Sequence, residues 1–166
     1  MLDAIQDRVH RKTRQRLDTT SIYIRNAVSD RATKPGGSEL DWPEAANREV
    51  QGLQSLLESR KPTLLISFGA FSFEFARRAL REEPRQRYSH WSSKGLGEEF
   101  PRRIGCFDPR SVNAVCLLHA SIARGRFIQG HDQFCGEPGA NYFERVGLAI
   151  ADVLIRHRDQ LPIWVQ

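Results

Sequence analysis

The chain has 166 residues and a mass of 19.0 kDa, enough for one domain with its own core, since a chain this size buries roughly 68–70% of its unfolded surface. Apolar residues make up 40% and charged residues 27%, which excludes a wholly disordered chain, and no run reaches the roughly 18 apolar residues that span a bilayer. The formal charge of +5 and a pI near 9.5 favour polyanionic partners.

Leu2, Ile5 and Val9 recur at helical spacing, so residues 2–16 are expected to form an amphipathic helix. Residues 1–20 form a basic segment, with Arg8, Arg11, Lys12, Arg14 and Arg16 against Asp3, Asp7 and Asp18. They contain no apolar run of the secretory type, and three cysteines make no disulfide framework. The expectation is reduced thiols and a cytoplasmic protein. Ser21 to Val28 (SIYIRNAV) is β-branched and aromatic and predicts a strand. Pro35, Gly36 and Gly37 mark a loop over Arg31 to Ser38. Asp41 suits an N-cap and Pro43 a first turn, and Ala46, Val50, Leu53 and Leu57 then form one face of a helix over 43–59.

Thr63 to Phe68 (TLLISF) is a continuous apolar run, the mark of a strand covered on both faces. Gly69 permits a tight turn, and a helix is expected over Ser72 to Leu80 with Phe71, Phe75 and Ala79 on one side. Residues 82–110 mix Pro84, Gly95, Gly97, Pro101 and Pro109 with charge and predict a long surface excursion, with a short strand near Ile104. Arg77, Arg78, Arg81, Arg85, Arg87, Lys94, Arg102 and Arg103 make residues 77–103 a second basic stretch. Both this stretch and residues 1–20 read either as solvated faces or as a phosphate-contacting surface. Val112 to Leu118 predicts a strand, 120–138 a glycine-rich loop, Asn141 to His157 a helix, and Pro162 to Val165 a short final strand.

Strands alternating with helices predict an α/β fold: a three-layer α/β/α domain with a mostly parallel central sheet, occupying 1–166 as one unit. Ligands bind at the carboxyl ends of such strands, which here lead into Asn26 to Ser38, Gly69 to Phe73 and His119 to His131. A side-chain amide at Asn26 can donate to O4 and accept from N3–H of uracil, a pattern cytosine reverses, although an Asn there also caps turns. His119 can donate to an oxyanion, or serve as a structural histidine at a strand end. Ser121, Arg124 and Arg126 follow it and could hold phosphates. Gly69 and Ala70 let a helix N-terminus approach a ligand closely, or serve the turn alone.

Cys116 with His119, and His131 with Cys135, have a zinc-like spacing. A strand over 112–118 separates the first pair, since Cys116 stays in the sheet while His119 leaves it. Three cysteines also exclude a four-thiolate cluster, and neither metal nor cofactor is expected. Trp42, Phe73, Phe75 and Phe143 read as core; Trp91 could cover a core edge or stack on a base. The chain lacks a P-loop, a G-x-S-x-G elbow and a G-x-G-x-x-G turn.

Three segments, in order, resemble the uracil-DNA glycosylase superfamily across about residues 21–158. Ile22 to Ala27 (IYIRNA) is similar to the family's strand ending in a base-reading Asn. Lys61 to Ala70 (KPTLLISFGA) is similar to its lysine-proline strand ending in glycine and a small residue. His119 to Arg124 (HASIAR) resembles its histidine–proline–serine loop, with Ala120 in the proline's place. The family's first motif, a glycine-rich loop often carrying a water-activating acid, has no counterpart in residues 1–20, so the likeness is to a divergent or N-terminally shortened member.

The resemblance implies a DNA partner, single- or double-stranded, and a base flipped from the stack. It implies that Asn26 reads uracil, that His119 donates to O2 of the departing base, that Ile122 wedges into the stack, and that Ser121, Arg124 and Arg126 hold phosphates. Asp30 is the nearest acid after Asn26 to consider for activating water. A binding module of the same fold without hydrolysis, and an unrelated α/β interaction subunit, are the alternatives.

Overall fold

A computed structural model describes residues 1–121 and 141–165. The chain is mixed α/β. Its helices are α1 (Leu2–Thr13), α2 (Glu44–Arg60), α3 (Ala70–Ala79), α4 (Ser93–Gly105) and α5 (Tyr142–Arg156). Its strands are β1 (Arg16–Leu17), β2 (Leu64–Phe68), β3 (Asn113–Leu117) and β4 (Trp164–Val165). β2 and β3 pair in parallel, from Leu64 opposite Asn113 to Phe68 opposite Leu117. β1 and β4 form a separate antiparallel pair, with Arg16 opposite Val165 and Leu17 opposite Trp164. The expected final strand is therefore present, with the end of the basic N-terminal segment as its partner.

β2 alternates as a strand between two apolar layers must. Leu65 joins a cluster of Trp42, Val50, Leu53, Leu57 and Phe75 from α2, α3 and the loop before them. Leu64 and Ile66 join a larger cluster that includes Ile5, Val9, Phe73, Leu96, Val115, Leu117, Val146 and Ile150. α1 reaches α5 closely because residue 147 is glycine. A Cβ there would stand 2.8 Å from the Met1 carbonyl oxygen and 3.2 Å from Ala4 Cβ. Gly147→Ala is expected to push α1 away and cost about 1–3 kcal/mol of stability, read from urea unfolding. Arg8 holds Asp152 of α5, and the Gln6 amide makes both hydrogen bonds to the backbone of Leu17, setting the path from α1 into β1.

The structure corrects four expectations. Ser21–Val28 is not a strand: Ile22, Tyr23 and Ile24 are exposed and the segment pairs with neither sheet. A turn built on Asp18, whose carboxylate accepts from the N–H and hydroxyl of Thr20, leads into it, and Glu49 of α2 ties down Arg25 and Ser29 beyond. β-rich composition makes a strand only when an edge and a covering layer are at hand. The second correction is α1, which ends at Thr13 because Arg14 turns left-handed.

Third, the cap of α2 is Pro43, with no side-chain bond from Asp41. Fourth, residues 93–105, expected as irregular chain with a short strand near Ile104, form α4, which includes Ile104. Ser92 caps it by accepting from the Gly95 N–H, and Leu96 and Phe100 are buried. Burying those two side chains is worth roughly 3–6 kcal/mol. That offsets the roughly 3 kcal/mol an internal proline such as Pro101 costs.

The arginines of 77–103 divide into two kinds. Arg81, Arg85 and Arg102 are exposed, but Arg77 and Arg78 are buried and Arg103 nearly so. All three are ligands of internal carboxylates. Glu74, wholly buried, accepts from Arg77 Nη1 at 2.8 Å, Arg78 Nε at 3.2 Å, the Gln86 N–H at 2.8 Å and Trp91 Nε1 at 2.8 Å. Trp91 is thereby a core-edge residue, with Arg77 over its ring and Phe73 against its edge. Arg103 bridges Glu82 and Glu99. These three arginines are neither solvated nor available to phosphate.

For Glu99 and Glu82, burial pushes the carboxyl upward. Hydrogen bonds from Arg102 and Arg103 to Glu99, and from Arg103 and Arg77 to Glu82, outweigh it and hold both below the usual carboxylate range. A carboxyl lowered in the folded state adds stability that is full above its unfolded pKa of about 4.3 and lost as pH falls through the folded value. The urea midpoint should therefore drop below about pH 4, and Glu99→Gln should flatten that limb of the profile.

Candidate functional site at the strand ends

β2 and β3 end side by side, and the chain leaves them at Gly69 and Leu118. Gly69 has φ +87° and ψ 168°, a region open essentially to glycine alone. Its N–H donates to the Leu117 carbonyl at 2.7 Å, and a Cβ on it would stand 3.3 Å from His119 Cβ. The residue thus serves both the turn and the close approach. Gly69→Ala is expected to cost about 1–3 kcal/mol and to shift His119, visible as a lowered melting temperature and a displaced histidine resonance. α3 starts two residues earlier than expected, at Ala70, with Gly69 as its cap. Among the described residues no side chain caps that end, which leaves its first-turn N–H groups without a side-chain acceptor.

His119 is exposed, and a buried neighbour fixes its backbone. The Leu118 N–H donates to the hydroxyl of Tyr142, the first residue of α5, at 2.8 Å, and Tyr142 is 1% exposed. The ring is fixed too. The Ser121 N–H donates to His119 Nδ1 at 3.2 Å, and the Ser121 hydroxyl lies 2.7 Å from the same nitrogen. A backbone N–H can only donate, so Nδ1 is an acceptor and the neutral ring carries its proton on Nε2. Among the described residues Nε2–H meets no acceptor, so it is a donor that can serve a ligand oxygen.

Gly69, Ala70, His119 and Ser121 thus come together as expected of strand-end residues. Asn26 does not join them through the sheet. It lies in the exposed segment, its carbonyl accepting from Arg25 Nε, while Ala27 and Val28 after it pack on the α2–α3 cluster near Phe71. The Asp30 carboxylate is engaged as a cap, accepting from the Ala32 N–H at 2.8 Å. Ile122, Arg124 and Arg126 lie outside the described residues, as do His131 and Cys135 of the zinc-like spacing. Cys116 is fully buried in β3, its thiol donating to the Leu96 carbonyl, and burial pushes its pKa up to about 12. It is a core thiol, buried where His119 is exposed.

Two residues of this edge escaped the sequence reading. Tyr142, within the helix expected over Asn141 to His157, anchors the strand end. Phe68 looked like the last residue of a buried strand, yet it is 37% exposed and tilted against Phe143. An aromatic directly before the Gly69–Ala70 turn was the available signal.

An open cavity of about 520 Å³ lies at the other end of β3, lined by Arg77, Glu82, Arg103, Cys106 and Asn113 among others. The charges of its Arg77, Glu82 and Arg103 are closed upon one another, so it offers no surplus charge to a ligand. No helix among the described residues is long and apolar enough to cross a membrane. Comparison of the chain with protein-family models, with curated proteins and with solved structures gives no match.

Proposed function

We propose that this chain is a uracil-DNA-glycosylase-like domain that releases uracil, or another damaged base, from DNA at the carboxyl edge of β2 and β3. The parallel pair is then part of a mostly parallel sheet in a three-layer fold. The observation that carries the reading is the fixed tautomer of His119, whose Cβ stands beside the Gly69 turn. When the bond between the sugar C1′ and the base nitrogen breaks, its electron pair stays with the base and negative charge gathers on O2. A placed neutral imidazole N–H stabilises that charge as it forms. Water then adds its hydroxyl to C1′ and its proton goes to the departing base. Phe68 offers a face on which a flipped base can stack, a contact worth about 1–3 kcal/mol, and Phe68→Ala should weaken uracil-DNA binding by that amount. Base selection by Asn26 rests on the resemblance alone.

A second reading, a nucleic-acid-binding module of the same kind without hydrolysis, is favoured by Asp30, whose carboxylate is occupied in capping. Base release from an oligonucleotide with one uracil, single- and double-stranded and in EDTA, separates the two. Alkali-sensitive cleavage supports the glycosylase. Binding that weakens with salt but gives no cleavage supports the module, and neither one removes both readings.

A further inference from the structure

We infer that the end of the molecule where α1 and α5 finish is a second nucleic-acid contact, one that grips phosphate backbone and stands apart from the strand-end site. α1 and α5 run side by side in the same direction: the Met1 carbonyl lies against Gly147, Arg8 pairs with Asp152, and Arg158 Nε donates to Gln15 at 2.9 Å. Their C-terminal ends therefore fall together. With them come Arg11, Lys12, Arg14 and Arg16 from one side and Arg156 and Arg158 from the other, all exposed. Among the described residues none of these cations has a carboxylate partner, unlike Arg77, Arg78 and Arg103. Of the carboxylates nearby, Asp152 is held by Arg8, which leaves Asp7, Asp18 and Asp159 against six cations.

The patch and the candidate site stand at opposite ends of α5. Tyr142 meets Leu118 at one end and Arg156 closes the other, about 20 Å away at 1.5 Å per residue. The inference requires no reaction and so goes beyond the glycosylase reading. Five of the six cations are arginines, whose planar forks match phosphate oxygens, and duplex DNA offers one charge about every 1.7 Å. An anionic membrane fits less well. The apolar face of α1, Ile5 and Val9, is buried in the core it shares with α5, so the helix has none left to enter a bilayer.

The test is binding of the full chain to a labelled, uracil-free duplex of about 20 base pairs, between about 50 and 200 mM salt. The variant combines Lys12→Gln, Arg14→Asn and Arg16→Gln, asparagine being chosen because residue 14 has φ 60°. Each lost phosphate contact removes roughly 0.9 from the slope of log K against log salt, so the expected fall is about 2.7, with affinity at about 100 mM salt at least about tenfold weaker. His119→Ala should keep the wild-type slope. If the triple variant melts early, Arg11→Gln with Arg156→Gln gives the same reading from two helices, with an expected fall of about 1.8.

An unchanged slope overturns the inference, as does a wild type that fails to bind duplex at low salt, or a His119→Ala variant that loses the slope too. Vesicles of phosphatidylserine in phosphatidylcholine are the second probe. If the triple variant loses vesicle binding while its duplex slope stays wild-type, the patch is a membrane contact and the inference falls. Base release separates this from the glycosylase reading. Release with an unchanged slope leaves the glycosylase and removes the patch, and a lost slope without release does the reverse.

Discussion

Glu74→Ala is expected to destabilise the fold by about 3–5 kcal/mol, the usual cost of leaving buried charge without its partner. The carboxylate is 0% exposed and has four donors around it, two of them guanidinium groups. Deleting it leaves buried Arg78 without a carboxylate and Arg77 with Glu82 alone, and takes the acceptor from the Gln86 N–H and Trp91 Nε1. Domains of this kind have about 5–15 kcal/mol in all, so the variant should unfold at a much lower urea midpoint. The same carboxylate organises the chain after α3. Arg77 reaches the Pro84 carbonyl, Arg78 reaches those of Leu40 and Gln86, and Arg78 also lies 3.8 Å from the centre of the Trp42 ring. Amides from Gln86 to Trp91 should therefore lose exchange protection first. A loss below about 1 kcal/mol would mean that the network is effectively solvated, as exposed pairs are.

If the chain releases bases as proposed, His119→Ala is expected to slow that release by about 10²- to 10⁴-fold, the range that removing a placed donor or acid usually costs. The melting temperature should hardly move, because the side chain is exposed and, among the described residues, bonds only within its own turn. Ser121→Ala supplies the contrast. It removes the hydroxyl but keeps the backbone N–H that fixes the tautomer, so turnover should stay within about threefold of wild type. Equal rates for His119→Ala and wild type would take the imidazole out of the reaction altogether.

Much of the fold could be read from the sequence where one signal dominated. The run Thr63–Phe68 and the face of Val146, Ile150 and Val153 gave β2 and α5 within a residue or two. α4 was obscured because Gly95, Gly97 and Pro101 argue for a loop one residue at a time, whereas the helix is decided by burying Leu96 and Phe100 together. Ser21–Val28 failed the other way: its composition is that of a strand, and pairing depends on a partner edge no local rule can supply. The Glu74 network was hidden because carboxylate and arginine three and four residues apart look like an exposed helix face. At the site, the adjacency of Gly69 and His119 follows from two strands ending in parallel register, which the alternation already implied. The tautomer of His119 does not follow, since it depends on one N–H in a turn.

The β1–β4 pair and the α1–α5 contact join residues 2–17 to residues 142–165. A ribosome releases the first of these long before the second exists. Until α5 emerges, α1 has nothing against which to bury Ile5 and Val9, and Arg16 and Leu17 have no strand to meet. Contacts so far apart in sequence are slow to close and leave apolar surface waiting in the meantime. Residues 142–165 are therefore what completes residues 2–17, and nascent chains stopped before residue 142 should be open to protease over residues 1–20.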